Sequence, residues 1–121
     1  MNNQNIEKLQ NDFNNISYLV DDTQIEYWYA RDLQNILGYK EWRNFNKVIQ
    51  KAKTACITAD IEVVYHFVEV NKMVQIGSGA TKQIDDIKLT RYACYLIAQN
   101  ADSSKPQSAF AQTYFAIQTR K

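Results

Sequence analysis

The chain has 121 residues, 45% of them hydrophobic and 22% charged, which suits one globular domain and excludes an intrinsically disordered protein. Its 14 Lys and Arg nearly balance 13 Asp and Glu, so the net charge of +1 argues against a non-specific DNA-coating protein, and any polyanion site must come from local clustering of cations. The N-terminus lacks a basic-then-apolar signal and no apolar run approaches the ~18 residues of a membrane span, so we expect a cytoplasmic protein with no membrane partner.

The N-terminal segment, residues 1–23, is predicted to be an arm or a helix that precedes a domain of residues 24–121. Asn and Gln are abundant here, and Ile6, Leu9 and Phe13 follow the three- and four-residue spacing of a weak helical stripe. A packed helix and a frayed arm are both compatible with this pattern.

A short strand is predicted for residues 24–29, which are aromatic and favour extended structure. The strand runs directly into a helix that carries Leu33, Ile36 and Leu37 on one side. Gly38 follows at the position where a helix end favours a left-handed residue, so we expect the helix to stop there.

The clearest amphipathic helix covers residues 41–57. Its apolar face consists of Trp42, Phe45, Val48, Ile49, Ala52 and Cys56. A cationic side lies opposite and consists of Lys40, Arg43, Lys47 and Lys51. Cations spaced four residues apart line one side of a helix and can follow a phosphate backbone. The alternative is a solvated face, since amphipathic helices commonly carry Lys outside.

A β-hairpin is predicted for residues 72–89, with a short helix over residues 70–76 as the competing interpretation. Two glycines in residues 77–80 mark the turn between the strands. Asp85 and Asp86 interrupt the apolar alternation of the returning strand, which suggests a β-bulge.

Two helices close the chain. Thr90 is a suitable N-cap for residues 91–99, which are apolar nearly all round and must be buried in the domain or covered by a partner. Pro106 suits the first position of the last helix. The aromatic residues assigned to a partner interface are Tyr92, Tyr95, Phe110 and Tyr114. The last helix reaches Lys121 without a capping glycine, so we expect truncation from a longer protein, with fraying of a natural terminus as the alternative.

Residues for catalysis or metal binding are sparse. His66 lies in the strand-like segment 64–68, where a half-buried structural histidine is expected. Asp85 and Asp86 are adjacent on a strand and would point to opposite faces, which disfavours a shared metal ion. Two isolated cysteines at positions 56 and 94 indicate buried, reduced thiols, with a disulfide or a metal as alternatives. We therefore expect no catalytic residue, metal or cofactor.

Several segments resemble a known family. EYWYARDLQNILGY resembles the opening of Bro-N domains, in which an aromatic strand leads through an Ala-Arg-Asp helix to Leu-Gly-Tyr. YKEWRNFNKVIQKAKTAC, HFVEVNKMVQIGSGATKQIDDIKLTRYACYLIAQNAD and AQTYFAIQTRK resemble the N-terminal part of the DNA-damage-inducible protein D family. The resemblance covers residues 24–121, and proteins of that family are about twice this length.

This resemblance implies a small α+β fold of the phage-antirepressor type, with four to five helices and a short antiparallel sheet that includes the hairpin. It also implies a regulatory protein of the bacterial SOS response to DNA damage, without catalytic residues. The implied partners are DNA, single-stranded DNA included, or a DNA-bound recombinase filament.

Three functional hypotheses remain open. The first is DNA binding through the cationic side of the 41–57 helix, with the hairpin as a wing that adds Lys82, Lys88 and Arg91, and with Tyr39 or Trp42 stacking on bases if exposed. The second is a protein-interaction domain that docks on a recombinase filament or a repressor through the closing helices. The third is a small nuclease. A homodimer is compatible with each of them.

Overall fold

Six helices and four strands form the part of the chain that the computed structural model describes, which is residues 3–20 and 25–119. In chain order they are α1 (Asn3–Asn15), β1 (Tyr18–Val20), β2 (Ile25–Tyr29), α2 (Ala30–Ile36), α3 (Trp42–Thr58), α4 (Val63–His66), β3 (Phe67–Gln75), β4 (Thr81–Leu89), α5 (Arg91–Asn100) and α6 (Pro106–Thr119). The predicted α+β fold is confirmed, with the short helix α4 in addition to the helices expected.

The four strands form one antiparallel sheet in the order β1-β2-β4-β3. Contact between β2 and β4 is brief, because the chain leaves the sheet for α2 immediately after Tyr29 pairs with Lys88. The sheet buries one face against the helices, and its core residues there are Trp28, Phe67, Ile87 and Leu89.

The predicted hairpin is confirmed and is longer than expected. Pairing between β3 and β4 begins at Phe67 opposite Leu89, so the competing helix over residues 70–76 is wrong. The predicted bulge is also wrong, because the register continues without interruption through Asp85 and Asp86. Asp86 interrupts the apolar pattern without a bulge, because its carboxylate is buried and accepts hydrogen bonds in place.

The strand-like interpretation of residues 64–66 is wrong, since they belong to α4. The chain must turn sharply between α3 and β3, and Asp60 adopts a left-handed conformation with φ 63° to make that turn. The Ile61 N–H then donates to the Cys56 carbonyl (3.0 Å), which ends α3. His66 closes α4 with its Nδ1 2.7 Å from the Thr90 hydroxyl, consistent with a structural role.

Helix α1 is part of the hydrophobic core. Phe13 stacks on Trp28 with ring centroids 4.4 Å apart, and the Trp28 Nε1–H donates to the Phe13 carbonyl (2.8 Å). Of the two alternatives for the N-terminal segment, the structure has the packed helix. The boundary predicted between residues 23 and 24 lies outside the described residues.

The helix ends follow the predicted signals. Gly38 ends α2 with φ +84°, and the Thr90 hydroxyl caps α5 by accepting from the Ala93 N–H (3.1 Å). Pro106 opens α6. The uncapped end predicted at residues 120–121 lies outside the described residues.

Candidate nucleic-acid interface

The outer side of α3 carries Arg43, Lys47 and Lys51, as the sequence pattern indicates, and Lys40 lies just before the helix begins. Lys40, Arg43, Lys47 and Lys51 are all exposed. The opposite side of the helix is fully buried at Phe45 and Ile49, so packing of that side fixes which way the cations face. None of the four forms an ion pair within residues 3–20 and 25–119, which leaves their charges available to an external anion.

The three lysines of this set, Lys40, Lys47 and Lys51, lie around one concave surface, which we call the lysine groove, and Arg43 lies outside its lining. It has a volume of about 600 Å³ and lies between the start of α3 and the α5–α6 loop. The loop contributes a fourth ammonium group, that of Lys105. The lining residues are Gly38, Tyr39, Lys40, Glu41, Asn44, Lys47, Val48, Lys51, Asp102 and Lys105. Four ammonium groups against two carboxylates give the groove a net positive charge.

The floor of the lysine groove is held by Tyr39. Its ring is only 8% exposed, its hydroxyl accepts from the Asp102 N–H (2.9 Å), and the Lys105 Nζ lies 4.9 Å from the ring centroid. The Ser104 side chain and N–H both donate to the Asp102 carboxylate and lower its pKa. That carboxylate therefore stays ionised and tied to its own loop.

Neither aromatic residue proposed for base stacking beside the cations presents an open ring. Tyr39 is buried, and Trp42 is half-buried with the Arg31 guanidinium 4.2 Å from its ring centroid. Trp42 instead lines a second groove of about 320 Å³ between α3 and the hairpin, beside the acidic residues Glu69 and Asp85. This second groove does not favour a phosphate backbone.

The structure places Lys82, Lys88 and Arg91 away from the lysine groove. Strand alternation puts Lys82 and Lys88 on the sheet face turned away from α3. Arg91 starts α5, where its guanidinium lies 3.3 Å from the Glu26 carboxylate and 3.4 Å from the Tyr114 hydroxyl. The cations named from the sequence thus occupy more than one surface.

The four aromatic residues named for a partner interface also divide. Tyr92, Tyr95 and Tyr114 line one groove of about 590 Å³ between α1, α5 and α6, in which Tyr114 itself is only 4% exposed. Phe110 lines a different groove with Leu9 and others. The α1–α5–α6 groove therefore offers a partner chiefly two half-buried rings.

A cluster on the outer sheet face was missed in the sequence. Tyr18, Tyr27 and Tyr29 meet there, with the Tyr18 and Tyr27 centroids 5.5 Å apart and their planes at 21°. The alternation of Tyr27 and Tyr29 was a usable signal for part of this cluster. Strand β1 has only three residues, so its own pattern is too short to reveal Tyr18 as their neighbour. Lys105 had no local signal at all.

Within the described ranges no three His, Cys, Asp or Glu side chains come together in a group able to hold a metal ion. Cys56 and Cys94 are free and fully buried, and burial raises the pKa of both thiols. Across residues 3–20 and 25–119, none of the helices is both long enough and apolar enough to cross a membrane.

Comparison with known sequences gives two matches. The sequence model of the BRO family, N-terminal domain (Bro-N), matches residues 15–116. The chain is 48% identical over 103 residues to the DNA damage-inducible protein D of Escherichia coli (strain K12), a match that covers 85% of this chain and 38% of that protein. The chain therefore spans well under half the length of the curated relative it matches. No solved structure matches it.

Proposed function

The chain belongs to the Bro-N family, and from that premise we propose that it is a non-catalytic regulatory domain of a bacterial DNA-damage response that binds DNA through the cationic side of α3. The name of the E. coli relative supports the connection to DNA damage. The observation that carries the DNA-binding part is the lysine groove, where cations from two distant segments converge without ion-pair partners in the described residues.

The spacing of the cations suits a phosphate backbone. Arg43, Lys47 and Lys51 are each four residues apart, which is ~6 Å along a helix axis. Cations at this spacing on one side of a helix can each contact a different phosphate of one DNA strand. Because the net charge of the whole chain is only +1, affinity must come from this local arrangement.

A charge-removal variant tests the proposal. Replacing Arg43, Lys47 and Lys51 together by Ala should weaken duplex DNA binding at least tenfold at moderate salt. It should also reduce the slope of log K against log salt by ~0.9 for each phosphate that the variant no longer neutralises. Fluorescence anisotropy of a labelled duplex over a salt series measures both quantities.

The matched control changes net charge by the same amount elsewhere. Asn5, Asn11 and Gln99 are exposed and lie outside the lysine groove, so their replacement by Glu lowers the charge by three without touching the groove. Binding should survive in this control. Equal losses in the two triple variants, or unchanged affinity in the first, would refute the phosphate-binding role. Metal-dependent cleavage of DNA by the purified chain would contradict the non-catalytic part.

A second candidate function is docking on a recombinase filament or a repressor, favoured by the α1–α5–α6 groove with its two half-buried tyrosines. Replacing Tyr92 and Tyr95 by Ala should then abolish a pull-down complex with that partner while DNA affinity stays unchanged. Phe110→Ala is the control, because Phe110 lies in a separate groove. Loss of the complex in the control alone would exclude this surface.

A further inference from the structure

The sheet face turned away from the core carries an unusual set of side chains. Strand alternation and the cross-strand register place Tyr18, Tyr27 and Tyr29 on this outer sheet face together with Lys72 and Lys88. Tyr18 is 46% exposed, and nearby apolar residues on the same face are also open to solvent, including Ile25 at 59% and Val68 at 44%. The face is thus aromatic, with Tyr27 and Tyr29 half-buried and Tyr18 the tyrosine that is open to solvent.

The three tyrosine rings are arranged as a platform. Tyr18 and Tyr27 lie nearly parallel, while Tyr29 meets both of them edge-on, with centroids 5.2 Å and 5.6 Å away. The Lys72 Nζ lies 3.3 Å from the Tyr29 ring centroid, and the Lys88 Nζ lies 4.8 Å from that of Tyr27. Aromatic rings and ammonium groups therefore alternate across the face.

The charge of the outer sheet face is positive. Asp86 is the one carboxylate that the described strands place on this face, and it is buried and pairs with Lys72 at 2.8 Å. Lys82 and Lys88 form no ion pair within the described ranges. A second copy of the chain is a poor occupant, because symmetric pairing would bring the same lysines together.

The exposed ring of Tyr18 beside the unpaired cations Lys82 and Lys88 is a combination that suits single-stranded nucleic acid, since an unstacked base can lie on the ring while the cations follow the phosphates. A duplex keeps its base faces stacked and offers none to the platform. Lys72 stays over Tyr29 because it pairs with Asp86, whereas Lys88 over Tyr27 is free to move. An exposed cation–π contact is weaker than the stacking of one base, so a base displaces the Lys88 ammonium toward a phosphate.

We propose that the outer sheet face binds the bases of single-stranded nucleic acid, with Tyr18 as the stacking residue and with Lys82 and Lys88 on the phosphates. The proposal deepens the proposed function, on which it rests for the DNA-binding role, and adds a surface whose residues are separate from the lysine groove. The two surfaces then differ in what they bind. The groove holds phosphates of any strand, and the sheet face selects strands whose bases are unpaired.

The test compares two oligomers that carry equal charge. One is an oligothymidylate of about 20 nucleotides, and the other is an abasic phosphodiester strand of the same length, which keeps the phosphates and lacks the bases. Tyr18→Ala in the 121-residue chain should weaken thymidylate binding by about 5- to 150-fold, the equivalent of one stacked base. Binding of the abasic strand should stay unchanged. Tyr18→Phe keeps the ring and should bind both oligomers within about twofold of the parent.

The outcomes separate this proposal from the lysine-groove proposal. The Arg43, Lys47 and Lys51 triple variant should weaken both oligomers equally, whereas the tyrosine variant affects only the one with bases. If Tyr18→Ala binds thymidylate like the parent, or loses the abasic strand equally, the sheet-face proposal is overturned and the groove result stands. A stable protein complex that disappears in Tyr18→Ala with thymidylate affinity intact would overturn it as well.

A second variant covers the phosphate part of the proposal and guards against misfolding. Lys82 and Lys88 together replaced by Gln should reduce the salt slope for thymidylate by ~0.7 for each phosphate that these lysines neutralise in the parent. An unchanged slope would contradict their assigned role. Thermal unfolding of each variant shows that the fold is retained, which is expected because Tyr18 is 46% exposed.

Discussion

At the residue scale, Asp86 has the most demanding environment in the fold. Its carboxylate is 1% exposed, and Oδ1 accepts from the N–H groups of Arg31 (3.1 Å) and Ile87 (2.8 Å). Oδ2 lies 2.8 Å from the Lys72 Nζ but has no partner in hydrogen-bond geometry among the described residues. At this distance the carboxylate and the ammonium group form a close ion pair. The side chain thus ties β4 to the first turn of α2.

Removal of this carboxylate should destabilise the protein. Asp86→Ala leaves two buried N–H groups without an acceptor, and we expect a loss of ~1–3 kcal/mol in the free energy of unfolding. Lys72 is 30% exposed and can turn to water, so its unpaired charge destabilises the variant less than a fully buried charge would. Asp85→Ala is the matched control, since Asp85 is exposed and should change stability by less than ~0.5 kcal/mol. Urea unfolding of both variants measures the two losses of stability. Equal losses would contradict the proposed role of the Asp86 carboxylate.

At the element scale, what the sequence could predict depends on whether the signal is local. Helix α3 repeats its apolar pattern over four turns, and the Thr90 cap and the hairpin turn each need only a few adjacent residues. Strand β1 and helix α4 have three and four residues, so pairing and chain reversal determine them instead. The lysine groove combines two segments more than 50 residues apart, and no spacing rule links Lys105 to Lys51.

The turn between α2 and α3 depends on a glycine. Gly38 has φ +84°, and a Cβ there would lie 2.7 Å from Oε1 of Gln107. Gly38→Ala should therefore cost ~1–2 kcal/mol for the left-handed backbone, with little added by Gln107, whose flexible end can move aside. Gly79→Ala is a matched control, because it has φ +82° and nothing within 4 Å. Similar drops in melting temperature are expected. A much larger loss for Gly38→Ala would mean that Gln107 cannot move.

At the scale of the whole molecule, the sheet separates two surfaces with different chemistry. The lysine groove lies on the helical side, and the tyrosine platform lies on the open side of the sheet. Because the two surfaces share no residue, mutations can be combined to ask whether one strand contacts both. Independent surfaces should give additive losses of binding free energy, whereas a strand that must engage both should not.

The aromatic cluster around Phe13 determines which helices unfold together. Phe13 of α1 packs on Trp28 of the sheet and edge-on against Phe115 of α6, with centroids 4.4 Å and 5.3 Å away. Helices distant in sequence therefore share one set of ring contacts: detachment of α1 exposes Trp28, the largest fully buried side chain, and detachment of α6 exposes Phe13. In hydrogen–deuterium exchange, the inner amides of α1 and α6 should belong to one cooperative unit with a common opening free energy.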